Sequence, residues 1–114
     1  MSAKRKIYRF GPYEFDASAA ILRKRGSRIR LQHKPLLALE ALLKRPGELI
    51  TREELCQSLW DDDTYVAFDD SLNHAVKRLR DALNDSPEHP RYIETIPGQG
   101  YRFAAPVEAA EYEP

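Results

Sequence analysis

The chain has 114 residues, 42% of them hydrophobic and 32% charged, and its formal net charge is zero. That length accommodates one domain with a single core. The sequence contains one cysteine, Cys56, which excludes an internal disulfide framework. It has neither an apolar run of the roughly 20 residues that a membrane helix needs nor the apolar segment of a signal peptide near its start. We therefore expect a cytoplasmic protein, with no membrane segment in this chain.

The charges are distributed unevenly along the chain. Residues 1–30 carry nine Lys and Arg against two acids, a net of +7, and the remainder therefore sums to −7. We expect residues 1–6 to form a disordered basic arm and residues 108–114 a solvated acidic tail, with the folded domain over 7–107 between them. Because salt screens charges beyond about 10 Å, a local basic patch can bind phosphate even in a neutral protein.

The first third of the folded region has the alternation of short β-strands. Aromatic and polar residues alternate on both sides of Gly11-Pro12, and aliphatic residues continue the alternation around Gly26-Ser27. The pattern predicts an antiparallel sheet of up to four short strands between Ile7 and Leu31.

Helical spacing begins with the leucines between residues 36 and 43, which predict a first helix that ends at Pro46-Gly47. A short extended link at Leu49-Ile50 follows. Thr51 and Glu54 have the spacing of a capping box, so we expect a second helix from there to Trp60.

A third helix is predicted over residues 69–84. Its apolar residues recur at i, i+3, i+4, i+7, i+10 and i+11, namely Leu72, Ala75, Val76, Leu79, Ala82 and Leu83. At 100° per residue the opposite face holds His74 and Lys77, with Asn73 and Arg78 beside them and Arg80 at the margin. A helix fits the major groove of B-DNA, and an Arg fork matches guanine O6 and N7. Such a face is also common on helices that simply contact solvent.

Two strands, within residues 92–96 and 101–103, end the folded region as a predicted hairpin. The connection between them is Pro97-Gly98-Gln99-Gly100, whose glycines we expect to supply positive φ angles. A two-helix unit with a basic second helix, followed by a Gly-rich hairpin, is the order of a winged helix-turn-helix.

Three blocks of sequence resemble the DNA-binding domain of the OmpR/PhoB family of bacterial transcription regulators, which is also seen in ToxR/CadC-like regulators. They are residues 51–60, residues 76–83 and residues 92–103, and the resemblance extends over about 7–107. It implies an α+β winged helix-turn-helix fold: an N-terminal four-stranded antiparallel sheet, three helices and a C-terminal β-hairpin wing. It also implies sequence-specific binding of double-stranded DNA, with the third helix in the major groove and the wing near the minor groove.

The resemblance places functional roles on individual residues. Arg78 is the candidate for reading a base, and Ser71 matches a small hydroxyl position near the helix start; Asn73 and His74 share the exposed face with them. The candidates for phosphate contacts are Lys77, Arg80, Tyr101 and Trp60, although core packing suits Trp60 equally well. Thr95 matches a wing position near DNA, and Arg102 is either a wing contact or a structural partner.

Two residues depart from the family pattern. Asp70 stands where several relatives have a basic phosphate contact, and Pro97 where relatives often carry a wing-tip arginine. These departures keep open an alternative, in which the domain is a winged-helix interaction module that binds an acidic protein. Pairing of two copies on direct-repeat DNA would offset weak binding by one copy.

The acidic segment between the second and third helices, Asp61, Asp62, Asp63 and Thr64, resembles the position of a loop that can face RNA polymerase in this family. An ordinary acidic surface loop is the simpler interpretation. His33, His74 and His89 lack metal-ligand spacing with Cys56, so we expect no metal, no cofactor and no enzymatic activity. The sequence contains no receiver domain, and the input portion of a longer regulator would be expected after Pro114.

Overall fold

The computed structural model describes residues 5–60 and 69–112. In these ranges the chain forms eight strands and three helices. The strands are β1 (Arg5–Phe10), β2 (Tyr13–Asp16), β3 (Ile21–Lys24), β4 (Ser27–Ile29), β5 (Leu49–Thr51), β6 (Ile93–Ile96), β7 (Gly100–Phe103) and β8 (Glu108–Tyr112). The helices are α1 (His33–Lys44), α2 (Arg52–Leu59) and α3 (Asp69–Leu83). The predicted mixed α+β fold and its three helices are confirmed.

The N-terminal sheet has five strands in the order β4-β3-β2-β1-β8, one more than the four expected. Residues 108–112 return to pair with β1, so they form a strand rather than a tail, and Arg5 and Lys6 belong to β1 rather than to a disordered arm. Residues 1–4 and 113–114 lie outside the described residues. The register places Glu108 opposite Arg9 and Glu111 opposite Lys6. Opposite charges in register stabilise neighbouring strands, and a reading of composition alone does not detect such a long-range pairing.

The Asp16 carboxylate, at the end of β2, accepts hydrogen bonds from β1 and from the turn that follows β2. The carboxylate is fully buried and accepts hydrogen bonds from Arg5 Nε at 2.8 Å, from the amide of Ser18 at 3.0 Å and from that of Ala19 at 3.2 Å. Burial alone would raise the pKa of Asp16, but these donors outweigh it and hold the pKa below its ordinary value. The carboxylate therefore stays ionised in the folded protein.

Helix α2 begins as the capping box predicts. The amide of Glu54 donates to Thr51 Oγ1 at 3.1 Å, which satisfies one of the free donors at the helix start. The Glu54 carboxylate accepts a hydrogen bond from the Thr51 hydroxyl at 3.2 Å and pairs with Arg45. The hydrogen bond from Arg45 lowers the pKa of Glu54, so the acid remains charged beside the positive end of the helix dipole.

The core lies between the inner face of the five-stranded sheet and the helices. Tyr8, Phe10 and Phe15 from the sheet meet the apolar stripes of α1 and α3. The hydroxyl of Tyr13 donates to the carbonyl of Leu83 at 2.8 Å, which ties the sheet to the last turn of α3. A second sheet, in the order β5-β7-β6, carries the wing hairpin. The fold thus holds α3 between the N-terminal sheet and the wing.

Candidate nucleic-acid interface

Helix α3 presents the polar face that the sequence predicts. Its apolar residues Leu72, Ala75, Val76, Leu79 and Leu83 are at most 3% exposed, and they attach the helix to the core. The opposite face is exposed and consists of Asp70, Ser71, Asn73, His74, Lys77, Arg78 and Asp81. Every residue that the sequence assigned to reading the major groove therefore lies on one exposed surface.

Arg78 makes one contact along this surface. Its Nε donates to Nε2 of His74, one helical turn earlier, at 3.2 Å. The contact uses only Nε and leaves the two terminal amino groups of the Arg78 guanidinium available as donors. Two parallel donors are what a guanine edge requires.

Arg80 does not lie on the exposed face. It is 9% exposed, and its Nη2 donates to the carbonyl of Ile93 at 3.0 Å and to Oγ1 of Thr95 at 2.6 Å. Its guanidinium also lies 5.8 Å from the centre of the Tyr101 ring. The expectation that Arg80 contacts a phosphate does not fit this placement, because the side chain turns away from the helix face to join α3 to β6.

Tyr101 joins three elements from a buried position. It is 4% exposed, and its hydroxyl donates to Oδ1 of Asn73 at 3.3 Å and accepts from Nη1 of Arg52 at 3.1 Å. The wing is thereby tied both to α3 and to the start of α2. The sequence analysis did not single out Arg52, because its partner Tyr101 is 49 residues away along the chain and no local pattern indicates the contact.

The wing residues already have intramolecular partners. Thr95 accepts from Arg80, as described above, and Arg102 forms an ion pair with Glu94, the residue directly opposite it on β6. The sequence left two interpretations of Arg102, a wing contact with DNA or a structural partner. The ion pair with Glu94 gives Arg102 the structural role. The Arg102 side chain nevertheless remains 42% exposed.

A cleft of about 490 Å³ opens where α1, α2 and α3 approach one another. It is lined by Gln32, Lys34, Pro35, Trp60, Asp70, Ser71, His74, Ala75 and Arg78. The Lys34 ammonium lies 5.0 Å from the centre of the Trp60 ring and donates to the carbonyl of Leu59. Trp60 is thus half-buried at the border of the polar face, where its indole both packs and meets solvent, and Lys34 is a neighbouring cation that the sequence analysis missed.

The described part of the chain offers neither a cluster that could bind a metal ion nor a helix that could span a membrane. Between residues 5 and 60 and between 69 and 112, no three His, Cys, Asp or Glu side chains lie close enough to hold a metal ion. Likewise no helix in those ranges is both long and apolar enough to span a membrane. Asp61, Asp62, Asp63 and Thr64 lie outside the described residues.

Comparison with known proteins agrees with this arrangement. Residues 26–103, more than half of the chain, match the family described as "Transcriptional regulatory protein, C terminal". The chain belongs to this family. Its helix-turn-helix and wing are therefore the DNA-binding domain of an OmpR/PhoB-type transcription regulator, a family that is not a class of enzymes.

Individual relatives place the domain within longer proteins. The chain is 38% identical to the cholera toxin transcriptional activator of Vibrio cholerae over 75% of its own length, a match that spans only 29% of that protein. Response regulator DrrB of Thermotoga maritima, an OmpR/PhoB homologue, is 36% identical, with a TM-score of 0.74 over 86% of this chain and 44% of DrrB. The DNA-binding domain of Klebsiella pneumoniae RstA, solved in complex with the RstA box, is 28% identical, with a TM-score of 0.75 over 86% of this chain and 96% of that domain.

Proposed function

We propose that the chain binds double-stranded DNA at specific sequences, with α3 in the major groove and the β6–β7 wing along the adjacent minor groove. The observation that carries this proposal is the exposed polar face of α3, backed by a fully buried apolar stripe and tied to the wing through Arg80. The RstA domain, which shares the fold at 28% identity, was solved with its DNA box, and this supports the same role here.

Within this complex we assign base reading to Arg78. Arg78 is exposed on this face, and the His74 contact restricts the rotation of its side chain. Ser71, Asn73 and His74 line the same surface and would meet neighbouring base edges or sugars. Lys77, which is exposed one residue earlier, would contact a phosphate, and Trp60 with Lys34 would meet the backbone at the cleft.

Replacing Arg78 with alanine tests the assignment. We expect binding to the selected site to weaken by about 1–3 kcal/mol and the preference at one base pair to relax, while binding to random duplex changes little. Sites are first selected from a random duplex pool at low salt, and affinities are then measured by titration. Arg91→Ala, which also removes an exposed arginine, is the matched control. Equal losses on selected and random duplex would assign Arg78 to a phosphate instead.

We assign Arg80 and Tyr101 to positioning the wing rather than to direct phosphate contact. Arg80→Met removes the donor to Ile93 and Thr95, so we expect the free energy of unfolding to fall by about 1–3 kcal/mol. We also expect hydroxyl-radical protection to weaken under the wing and to persist under α3. If Arg80 instead contacts a phosphate, the variant would keep its stability, and the slope of log affinity against log salt would become less negative by about 0.9.

The wider biology follows as further proposals. The domain would act as the output part of a transcription regulator in the cytoplasm, at the nucleoid. Two copies would bind a direct repeat, and residues 61–64 would face RNA polymerase. The alternative of an interaction module for an acidic protein predicts that the chain selects no duplex from the pool and binds none at low salt.

A further inference from the structure

Residues 23–30 form a second basic surface, which we call the basic hairpin. The segment comprises the second half of β3, the turn, β4 and the residue after it, at the edge of the five-stranded sheet. Within eight residues it holds Arg23, Lys24, Arg25, Arg28 and Arg30 and not one acid. It lies outside the site described above, and neither α3 nor the wing accounts for it.

The arginines of the basic hairpin have no partner among the described residues. Elsewhere in that part of the chain Arg5, Arg9, Arg45 and Arg102 each pair with a carboxylate, but the side chains of Arg23, Arg25, Arg28 and Arg30 form no ion pair or hydrogen bond there. Arg23 and Arg28 are directly opposite in the β3–β4 register. Like charges in that position destabilise a sheet, and Glu14, opposite Arg23 on β2, offsets this for Arg23 alone.

The chain path connects the basic hairpin to the proposed DNA interface. Strand β4 ends at Ile29, and Gln32, three residues later, is the N-cap of α1 and lines the cleft that also contains His74 and Arg78. The exposed Arg30 is two residues from Gln32, a chain distance of at most about 7 Å. Arg30 therefore lies near this cleft, at the N-terminus of α1, and the hairpin extends from there to its turn, where the amide of Arg25 donates to the carbonyl of Pro12 at 2.9 Å.

Charge at the interface itself supplies the second argument. The exposed residues of α3 include two cations, Lys77 and Arg78, and two acids, Asp70 and Asp81. Arg80 is buried against the wing, and Arg102 is paired with Glu94. Electrostatic affinity for DNA depends on the number of phosphates that cations neutralise, and the face of α3 offers few.

We propose that the basic hairpin contacts the phosphate backbone of duplex DNA that flanks the sequence read by α3, on the side of the N-terminus of α1. The inference rests on the proposed function and extends its footprint. Arg25, Arg28 and Arg30 are the exposed members of the cluster, and they would replace counterions on the flanking phosphates without reading bases.

A pair of charge-matched double variants tests this proposal. Arg25→Gln with Arg28→Gln removes two charges from the basic hairpin, and Lys44→Gln with Arg91→Gln removes two from exposed positions elsewhere. Affinity is measured against salt on the selected site alone and on two longer duplexes, in which the same site is extended by about one helical turn on one flank or on the other. On one extended duplex we expect the log–log slope of the hairpin variant to be less negative by roughly 1.8, about 0.9 for each phosphate. On the short duplex it should match the wild type, and the control variant should match the wild type throughout. Circular dichroism melting curves establish that all variants are folded.

Each other outcome overturns the proposal in an identifiable way. An unchanged slope on every duplex, with sequence selection intact, overturns this inference and leaves the proposed function standing. A loss that occurs only on DNA with two adjacent sites assigns the basic hairpin to a second copy of the chain. If the wild type itself selects no duplex, the proposed function fails, and this inference fails with it.

Discussion

Leu79→Ala is expected to lower the free energy of unfolding by about 2–5 kcal/mol. Leu79 is fully buried in the centre of α3, within the cluster that joins that helix to α1 and the N-terminal sheet. Truncation removes buried methyl groups and leaves a cavity between elements that cannot close completely. Alanine is the best helix former, so a loss of this size would come from packing and not from helix propensity.

Chemical denaturation of the variant and the wild type measures this loss. Lys77→Ala, two residues away on the exposed face, is the control, and its stability should change by no more than about 0.5 kcal/mol. At temperatures where Leu79→Ala remains folded, it should retain the sequence preference of the wild type, because Arg78 and the exposed face are intact. A loss below about 1 kcal/mol would show that α3 packs more loosely than its burial indicates.

The stripe to which Leu79 belongs is the part of the fold that the sequence predicts best. Helical periodicity depends only on local geometry, so the spacing of apolar residues gives both the buried stripe and the exposed face of α3. The N-cap at Thr51 is predictable for the same reason, since its partner Glu54 is three residues away. The residues proposed to read DNA could thus be grouped on one surface without the structure.

Contacts between distant segments could not be predicted in this way. Arg80 is at the margin of the helical wheel, and periodicity cannot tell whether its long side chain extends to solvent or folds back to residues 93 and 95. Residues 108–112 carry two glutamates and lack the alternation of apolar and polar residues that predicts a strand, yet they pair with β1. In both cases the partner is distant in sequence, so the tertiary structure determines the contact and local patterns do not predict it.

The two wing glycines show the same division between local and distant causes. We expected both to supply positive φ, and Gly98 does, with φ of 72°. For Gly100 that expectation is wrong, because its φ is not in the left-handed region. Its requirement comes from close approach of β5: a Cβ built on Gly100 would lie 2.0 Å from the carbonyl oxygen of Ile50 and 2.9 Å from Cα of Thr51.

Gly100→Ala is therefore expected to destabilise the protein by about 3 kcal/mol or more, at or above the upper end of the usual cost of overpacking. The contact is with backbone on β5, which cannot move aside as a flexible side chain can, so β5 and β7 must separate. Denaturation measures the loss, with Gln99→Ala as the neighbouring control, expected to change stability by no more than about 0.5 kcal/mol. Since β7 also carries Tyr101 and holds β6, the variant should lose protection of DNA under the wing before it loses protection under α3. A Gly100→Ala protein as stable as the wild type would mean that β5 and β7 are not as close as the structure places them. It would also mean that the pairing of β5 with β7 does not hold Arg52 against Tyr101.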